Sequence, residues 1–186
     1  MTSEPKGAIL QRDKETYAIV PKTLMGLVTP DILEKIAGVA RKYDIPIIKI
    51  VAGQRIALVG IKPENVDQVW DELGMEVGKA VGLCLHYIQA CPGNAVCRMG
   101  ILDSLGLGGK LDDLLDKEEY PAKVKMGISG CPLNCGESYV RDVGIFARKE
   151  GWTLTFGGNS GSRPRIGDVL AEGLSDDEVM ALAQKA

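Results

Sequence analysis

The sequence predicts an α+β protein built as two lobes, and three observations carry that prediction. Short apolar runs alternate with amphipathic helical segments over residues 8–74. After Gly82 the composition shifts to a stretch rich in Cys, Gly and small residues. Beyond that stretch, strand-like runs lead again to a capped helix. The boundary falls near residue 80, so the expected domains are 1–80 and 81–186. No low-complexity linker separates them, and the lobes are expected to pack closely.

Taken in order, "AILQR" and "TYAIV" flank a polar turn at Asp13–Glu15 and read as a β-hairpin. "TPDILEKIAGVARKYD" reads as a helix, with Thr29 as cap and Pro30 at the first helical position. Ile32, Leu33, Ile36, Val39 and Ala40 form its apolar stripe. "IPIIKI" and "RIALVG" are strand-like around a turn at Gly53 and Gln54, and "KPENVDQVWDELG" is a second helix ended by Gly74. This β-β-α-β-β-α order implies an antiparallel sheet with both helices on one face. In the second lobe a charged helix is expected over Leu111–Glu119, then the strand "KVKMGIS", then "DVGIFAR" paired with "GWTLTFG" across Glu150–Gly151. "GGNSGSRPRIG" is a loop, and Ser175 with Glu178 forms a capping box for a final helix.

Composition excludes several function classes. The 186-residue chain is 45% apolar, enough for a core, and its net charge of −3 argues against nucleic acid or an anionic membrane as the main partner. Aromatic residues make up only 5%, too few for base-stacking platforms. No run approaches the roughly 18 apolar residues of a membrane span. The start, "MTSEPKGAILQRDKE", has no apolar h-region or cleavage site, so a cytoplasmic setting is expected. Thiols stay reduced there, and paired cysteines read better as metal ligands or redox groups than as disulfides.

Four of the five cysteines form two pairs: Cys91 and Cys97 in "ACPGNAVC", Cys131 and Cys135 in "SGCPLNCGESYVRDVGI". Each pair sits in a loop loosened by Gly and Pro, where backbone N–H groups can face thiolates and stabilise their charge. Zinc knuckles favour about two to four intervening residues, which suits one pair and not the other. Spacing alone leaves an iron–sulfur cluster and zinc both open. Cys84 lies outside both pairs and is expected to be a buried, small apolar residue.

The surroundings of the second pair carry more. Gly130, Cys131, Cys135, Asp142, Val143, Gly144 and Ile145 together resemble the signature of sirohaem-dependent nitrite and sulfite reductases. The spacing of Cys91 and Cys97 is similar to the family's other pair. From "GQRIALVGIKPENVDQVWDELGM" to "GGNSGSRPRIG" the chain resembles the haemoprotein part of bacterial assimilatory nitrite reductases. In architecture it resembles small single-half sulfite reductases, since no internal repeat is present. The resemblance implies a ferredoxin-like half-domain packed on a sirohaem- and [4Fe–4S]-binding α+β domain. The second half of larger members would be absent, or supplied by another copy in a homo-oligomer, or by a different subunit.

The resemblance also implies the site. Cys91, Cys97, Cys131 and Cys135 would hold a [4Fe–4S] cluster, with Cys135 shared with the sirohaem iron. Arg98, Asn134, Gly158, Asn159, Arg163 and Arg165 would face the carboxylate-rich ring, for which guanidinium forks and close backbone approach suit. Gly157 and Gly161 would help by allowing that approach. Lys123 and Lys125 alternate along a strand, share a face, and would neutralise and protonate a small oxyanion. Arg55 would be a third cation. His86, the single histidine, and Gln89 stand where similar nitrite reductases carry Arg and Lys. His86 is a proton donor by its chemistry or a packing residue.

The expected activity is reduction of sulfite to sulfide, or nitrite to ammonia. Electrons would come from an external donor, a ferredoxin-like protein or reductase subunit, because no flavin or nicotinamide fingerprint is present. The alternatives are a non-catalytic electron-transfer or redox-sensing protein, which the change at His86 favours, and a zinc-stabilised binding module.

Overall fold

The computed structural model describes residues 5–185; residues 1–4, on which the reading of the chain start partly rests, and Ala186 lie outside the described residues. The chain divides into two compact units, Met1–Ala80 and Val81–Ala186.

In the first unit, β1 (Ala8–Leu10) and β2 (Tyr17–Ile19) form the expected hairpin, its turn held by Glu15 and Thr16 N–H groups donating to Asp13 Oδ1. Then follow α1 (Pro30–Lys42), β3 (Ile47–Val51), β4 (Arg55–Ile61) and α2 (Val66–Leu73). The sheet runs β1-β2-β4-β3 and is antiparallel throughout. Thr29 caps α1 by accepting from Ile32 N at 3.3 Å. Ile36, Val39 and Ala40 of α1 and Val66, Val69 and Leu73 of α2 pack in one core with Ile19, Leu58 and Ile61. Each large apolar side chain so buried contributes about 1.5–3 kcal/mol. Leu33, expected in the α1 stripe, is instead 47% exposed, because the core contact is narrower than the periodic pattern.

The second unit contains β5 (Leu85–Ala90), α3 (Ser104–Leu115), β6 (Val124–Ser129), β7 (Val143–Arg148), β8 (Gly151–Phe156), β9 (Asp168–Leu174) and α4 (Asp176–Ala183). The sheet order is β5-β6-β7-β8-β9. The first three strands are parallel, and β8 and β9 are added antiparallel. Two differences from expectation stand out. The helix expected at Leu111–Glu119 begins at Ser104, capped by Asp103, whose carboxylate accepts from Gly106 N at 2.9 Å. Burial of Leu107, Leu111 and Leu115, spaced at four, outweighs its three glycines. No strand is expected from the sequence at β5 or β9, which lie at the sheet edges and do not show a clean alternation.

One face of this sheet carries Met126, Ile128, Ile145 and Leu154, all buried on the side of α3 and α4. The other face is bare at Gly127 and Gly144, and there the chain after Cys135 folds back over it. A Cβ on Gly144 would stand 1.8 Å from Ser138 O, so no other residue fits without moving that segment. Among the described residues no helix is long and apolar enough to cross a membrane.

Candidate metal centre

Cys91 directly follows β5, and Cys131 lies two residues past β6, its parallel neighbour. Both pairs of cysteines therefore emerge from the carboxyl ends of adjacent parallel strands, where open α/β sheets bind ligands. The two loops touch backbone to backbone. Ile101 N and Leu102 N both donate to Gly130 O, at 2.7 and 3.3 Å, and Cys91 N donates to Ile128 O at 3.1 Å. Gly130 N points at Cys91 Sγ at 3.1 Å, the amide-to-sulfur contact that stabilises a thiolate. Ser104 Oγ donates to Cys91 O at 2.6 Å and lies 3.5 Å from its sulfur.

The second loop is built by its own polar side chains. Asn134 takes the left-handed conformation (φ 61°), and its Oδ1 accepts from Ser138 Oγ and Tyr139 N, each at 2.9 Å. Buried Ser129 Oγ accepts from Gly136 N at 3.0 Å and lies 3.0 Å from Ser138 Oγ, within hydrogen-bond distance. Tyr139 packs edge-on against Phe146 and donates to Pro132 O. These contacts present Cys135 outward while Cys131 stays buried; Cys91 is likewise buried and Cys97 exposed.

All five cysteines are free thiols. Cys84, expected to be buried, is only half-buried; its sulfur lies 3.8 Å from both Val81 O and Gly82 O. Among the described residues no three His, Cys, Asp or Glu side chains gather tightly enough for one metal ion. A [4Fe–4S] cube takes one thiolate per iron and needs its four ligands spread around it, which suits four sulfurs on two facing loops.

The glycine- and arginine-rich loop is tied to the same segment. Gly157 N donates to Asp142 O at 2.8 Å and Gly167 N to Tyr139 O at 2.9 Å. Gly158 packs closely on the segment before β7: a Cβ there would lie 2.5 Å from Arg141 O. Asn159 also serves its own loop, accepting from Gly161 N and donating to Arg163 O. Arg98 and Arg163 are exposed, and Arg165 pairs with Asp168 at 2.8 Å on the surface.

Lys123 is exposed and stands just ahead of β6, so the strand pairing that would fix its direction begins one residue later. It borders a cavity of about 270 Å³ together with Tyr120, Asp142 and Phe156. Lys125 lies within β6, half-buried, and its backbone N–H donates to Asp142 Oδ2 at 2.8 Å. The acidic residue of the signature thus anchors the strand that carries this lysine. His86 is half-buried beside the Tyr87 ring, 5.5 Å between centroids. Arg55 belongs to the first unit, where Nε donates to Ala52 O and Nη1 to Lys79 O at 2.9 Å. Sequence reasoning missed Ser104, Ser129, Ser138 and Arg141, none of which belongs to a metal-ligand residue type.

Comparison with known proteins decides the family. Residues 82–186 match the model of the nitrite and sulphite reductase 4Fe–4S domain, and residues 9–76 match the nitrite/sulfite reductase ferredoxin-like half domain. The chain belongs to the nitrite and sulphite reductase family. Among relatives, the assimilatory-type sulfite reductase of Nitratidesulfovibrio vulgaris is 62% identical over 100% of this chain and 85% of its own length. The nitrite reductase [NAD(P)H] of Bacillus subtilis is 40% identical over 97% of this chain, which spans only 22% of that longer protein. The solved Mycobacterium tuberculosis NirA protein shares the fold, with a TM-score of 0.76 at 18% identity over 94% of this chain and 35% of that one. The nitrite and sulphite reductase fold therefore accounts for both units, and the four cysteines lie in the segment matched to the 4Fe–4S domain.

Proposed function

We propose that the chain is a sirohaem- and [4Fe–4S]-dependent reductase of a small oxyanion, taking sulfite to sulfide, with nitrite to ammonia as the second substrate. The observation that carries this reading is the set of four free cysteines on two facing loops, in a chain 62% identical to an assimilatory-type sulfite reductase. Cys91, Cys97, Cys131 and Cys135 would hold the cluster, with Cys135 as the sulfur shared with the haem iron. Arg98, Arg163 and Arg165 would meet the ring's carboxylates, while Asn134, Gly158 and Asn159 shape the loops that present them. When bound, the coupled pair supplies electrons to the substrate's sulfur or nitrogen atom.

The chain's own contribution is charge and protons. Lys123 and Lys125 offer ammonium groups that neutralise the oxyanion and give up protons as its oxygens leave as water. Asp142 holds the start of β6, and with it Lys125, in register. Electrons would arrive from an external ferredoxin-like protein or reductase subunit. A cytoplasmic setting suits five unpaired thiols, and a second copy could complete the protein as a homo-oligomer.

A second reading, an electron-transfer protein without turnover, is favoured by one relative: the assimilatory nitrate reductase electron transfer subunit of Bacillus subtilis is 27% identical over 170 residues. The visible spectrum of anaerobically purified protein, co-expressed with sirohaem synthesis, tests both. Soret and α bands that shift with carbon monoxide, together with sulfite turnover by reduced viologen, are the expected result. A broad iron–sulfur shoulder without those bands would sink the reductase reading and leave electron transfer. Relative rates on sulfite and nitrite then set the substrate order.

A further inference from the structure

Arg141 is a buried cation, with 9% of its side chain exposed, at the foot of β7. Its guanidinium reaches three segments around the cysteines. Nη2 donates to Gln89 Oε1 at 3.4 Å, two residues before Cys91. The same nitrogen is ion-paired with Glu137, two residues after Cys135. Nη1 donates to Ser160 Oγ at 3.2 Å, in the glycine- and arginine-rich loop. The guanidinium carbon sits 5.5 Å from the centre of the Tyr87 ring. The stem lies over bare Gly127, where a Cβ would stand 2.9 Å from Arg141 Cγ. Nε is buried with no hydrogen-bond partner among the described residues.

Burying a guanidinium is costly unless its donors are matched, and here Nε–H is not. An apolar side chain such as methionine would fill the space over Gly127 and Tyr87 without that penalty, so packing alone does not account for a charge. An anion at the ends of β5 and the Cys135 turn would account for it, and a thiolate-ligated cluster is one. Glu137 offsets the charge only in part. Its side chain is 45% exposed and screened by water, whereas the guanidinium is not.

We propose that Arg141 is the positioning residue of the metal centre: it clamps the Cys135 turn to the end of the Cys91 strand, and its buried charge raises the cluster's reduction potential. The inference rests on the cluster reading above. Reduction adds an electron to an already anionic centre, so a nearby cation favours the reduced form and a nearby carboxylate opposes it. The two partners of one ion pair should therefore move the potential in opposite directions. A role in packing alone would loosen the same turn in either variant and move it one way or not at all.

The test is a redox titration of the anaerobically purified holoprotein, with electron paramagnetic resonance of the reduced cluster and iron content per chain. Arg141→Gln is expected to shift the potential to more negative values with iron retained. Glu137→Gln is expected to shift it to less negative values. Arg141→Lys, which keeps the charge and loses the fork, should hold the potential near that of the unmodified protein while broadening the resonance. Shifts of the same sign in the two glutamine variants, or no shift in either, would overturn the proposal. Should Arg141→Gln fail to fold, the sign of the Glu137→Gln shift and the resonance of Arg141→Lys decide it. A preparation that takes up no iron overturns the cluster reading and this inference with it. A normal cluster with unmoved potentials overturns only the role of Arg141.

Discussion

Gly93 and Gly130, one in each cysteine loop, approach so closely that a Cβ on Gly130 would stand 2.6 Å from Gly93 Cα and 2.9 Å from Leu102 O. The contact is backbone against backbone, so no rotamer change can relieve it. Gly130→Ala must push the loops apart, at about 1–3 kcal/mol by analogy with overpacked cores. The expected outcome is a folded protein with a lowered melting temperature and most of its iron lost on purification. Iron and acid-labile sulfide assays alongside circular dichroism check it; full iron content in the variant would show that the loops need not touch.

The four paired cysteines and Cys84 should separate cleanly on substitution. Serine at position 91, 97, 131 or 135 removes one thiolate from the set, and each variant is expected to lose most cluster absorbance. Cys84 lies outside both loops, its sulfur near the Val81 and Gly82 carbonyls, so Cys84→Ser should keep its iron. A Cys84→Ser variant as depleted as the other four would mean the ligand set is wrongly drawn.

How far these features can be read from sequence depends on whether their partners are local. Ser175 and Glu178 sit three apart and form their capping box within one turn, so the start of α4 is legible. The β6 strand is legible too, because Val, Met and Ile alternate with small or charged residues. Its neighbour β5 is not: His86 and Gln89 interrupt an apolar run, and the edge position removes the need for alternation. The helix α3 hides behind Gly106, Gly108 and Gly109, each costing about 1 kcal/mol in helix propensity. Its leucines repay that only through tertiary burial. Cysteine ligands announce themselves because few residue types can bind soft metals. Arg141 does not, since its partners at 89, 137 and 160 come together only in the fold.

Lys123 and Lys125 can be tested without disturbing the fold. The bond from Lys125 to Asp142 uses backbone N–H, so a side-chain change leaves it intact. Lys123 is exposed and lies outside the strand. Methionine at either position is expected to lower turnover of sulfite by about 10²–10⁴-fold, the range for losing a positioned proton donor. Sirohaem and cluster absorption should be unchanged. Viologen-linked kinetics check it, and wild-type turnover in the double variant would remove both residues from the chemistry.

Acid should destabilise the second unit through the start of α4. Asp176 accepts from Lys110 Nζ and from buried Trp152 Nε1, each at 2.8 Å. Burial alone would push its carboxyl up, but the Lys110 and Trp152 hydrogen bonds and the Lys110 charge outweigh it, and the pKa is lowered. Glu178 is lowered as well, by the backbone and hydroxyl of Ser175. A carboxylate whose folded pKa lies below its unfolded value adds stability that is complete above the unfolded value and lost as pH falls through the folded one. The unit should therefore hold a stability plateau above the ordinary carboxylate range and lose stability below it. The Lys110 pair is half-exposed, so screening limits its share to about 0.2–1 kcal/mol. Asp176→Asn keeps an acceptor for Trp152 and removes the charge; it should cost that much near neutrality and flatten the acid limb. Asp176→Ala also strands a buried N–H and should cost about 1–3 kcal/mol more. Thermal unfolding of the three proteins across pH checks the pair, and an acid limb unchanged in Asp176→Asn would assign it to other carboxylates.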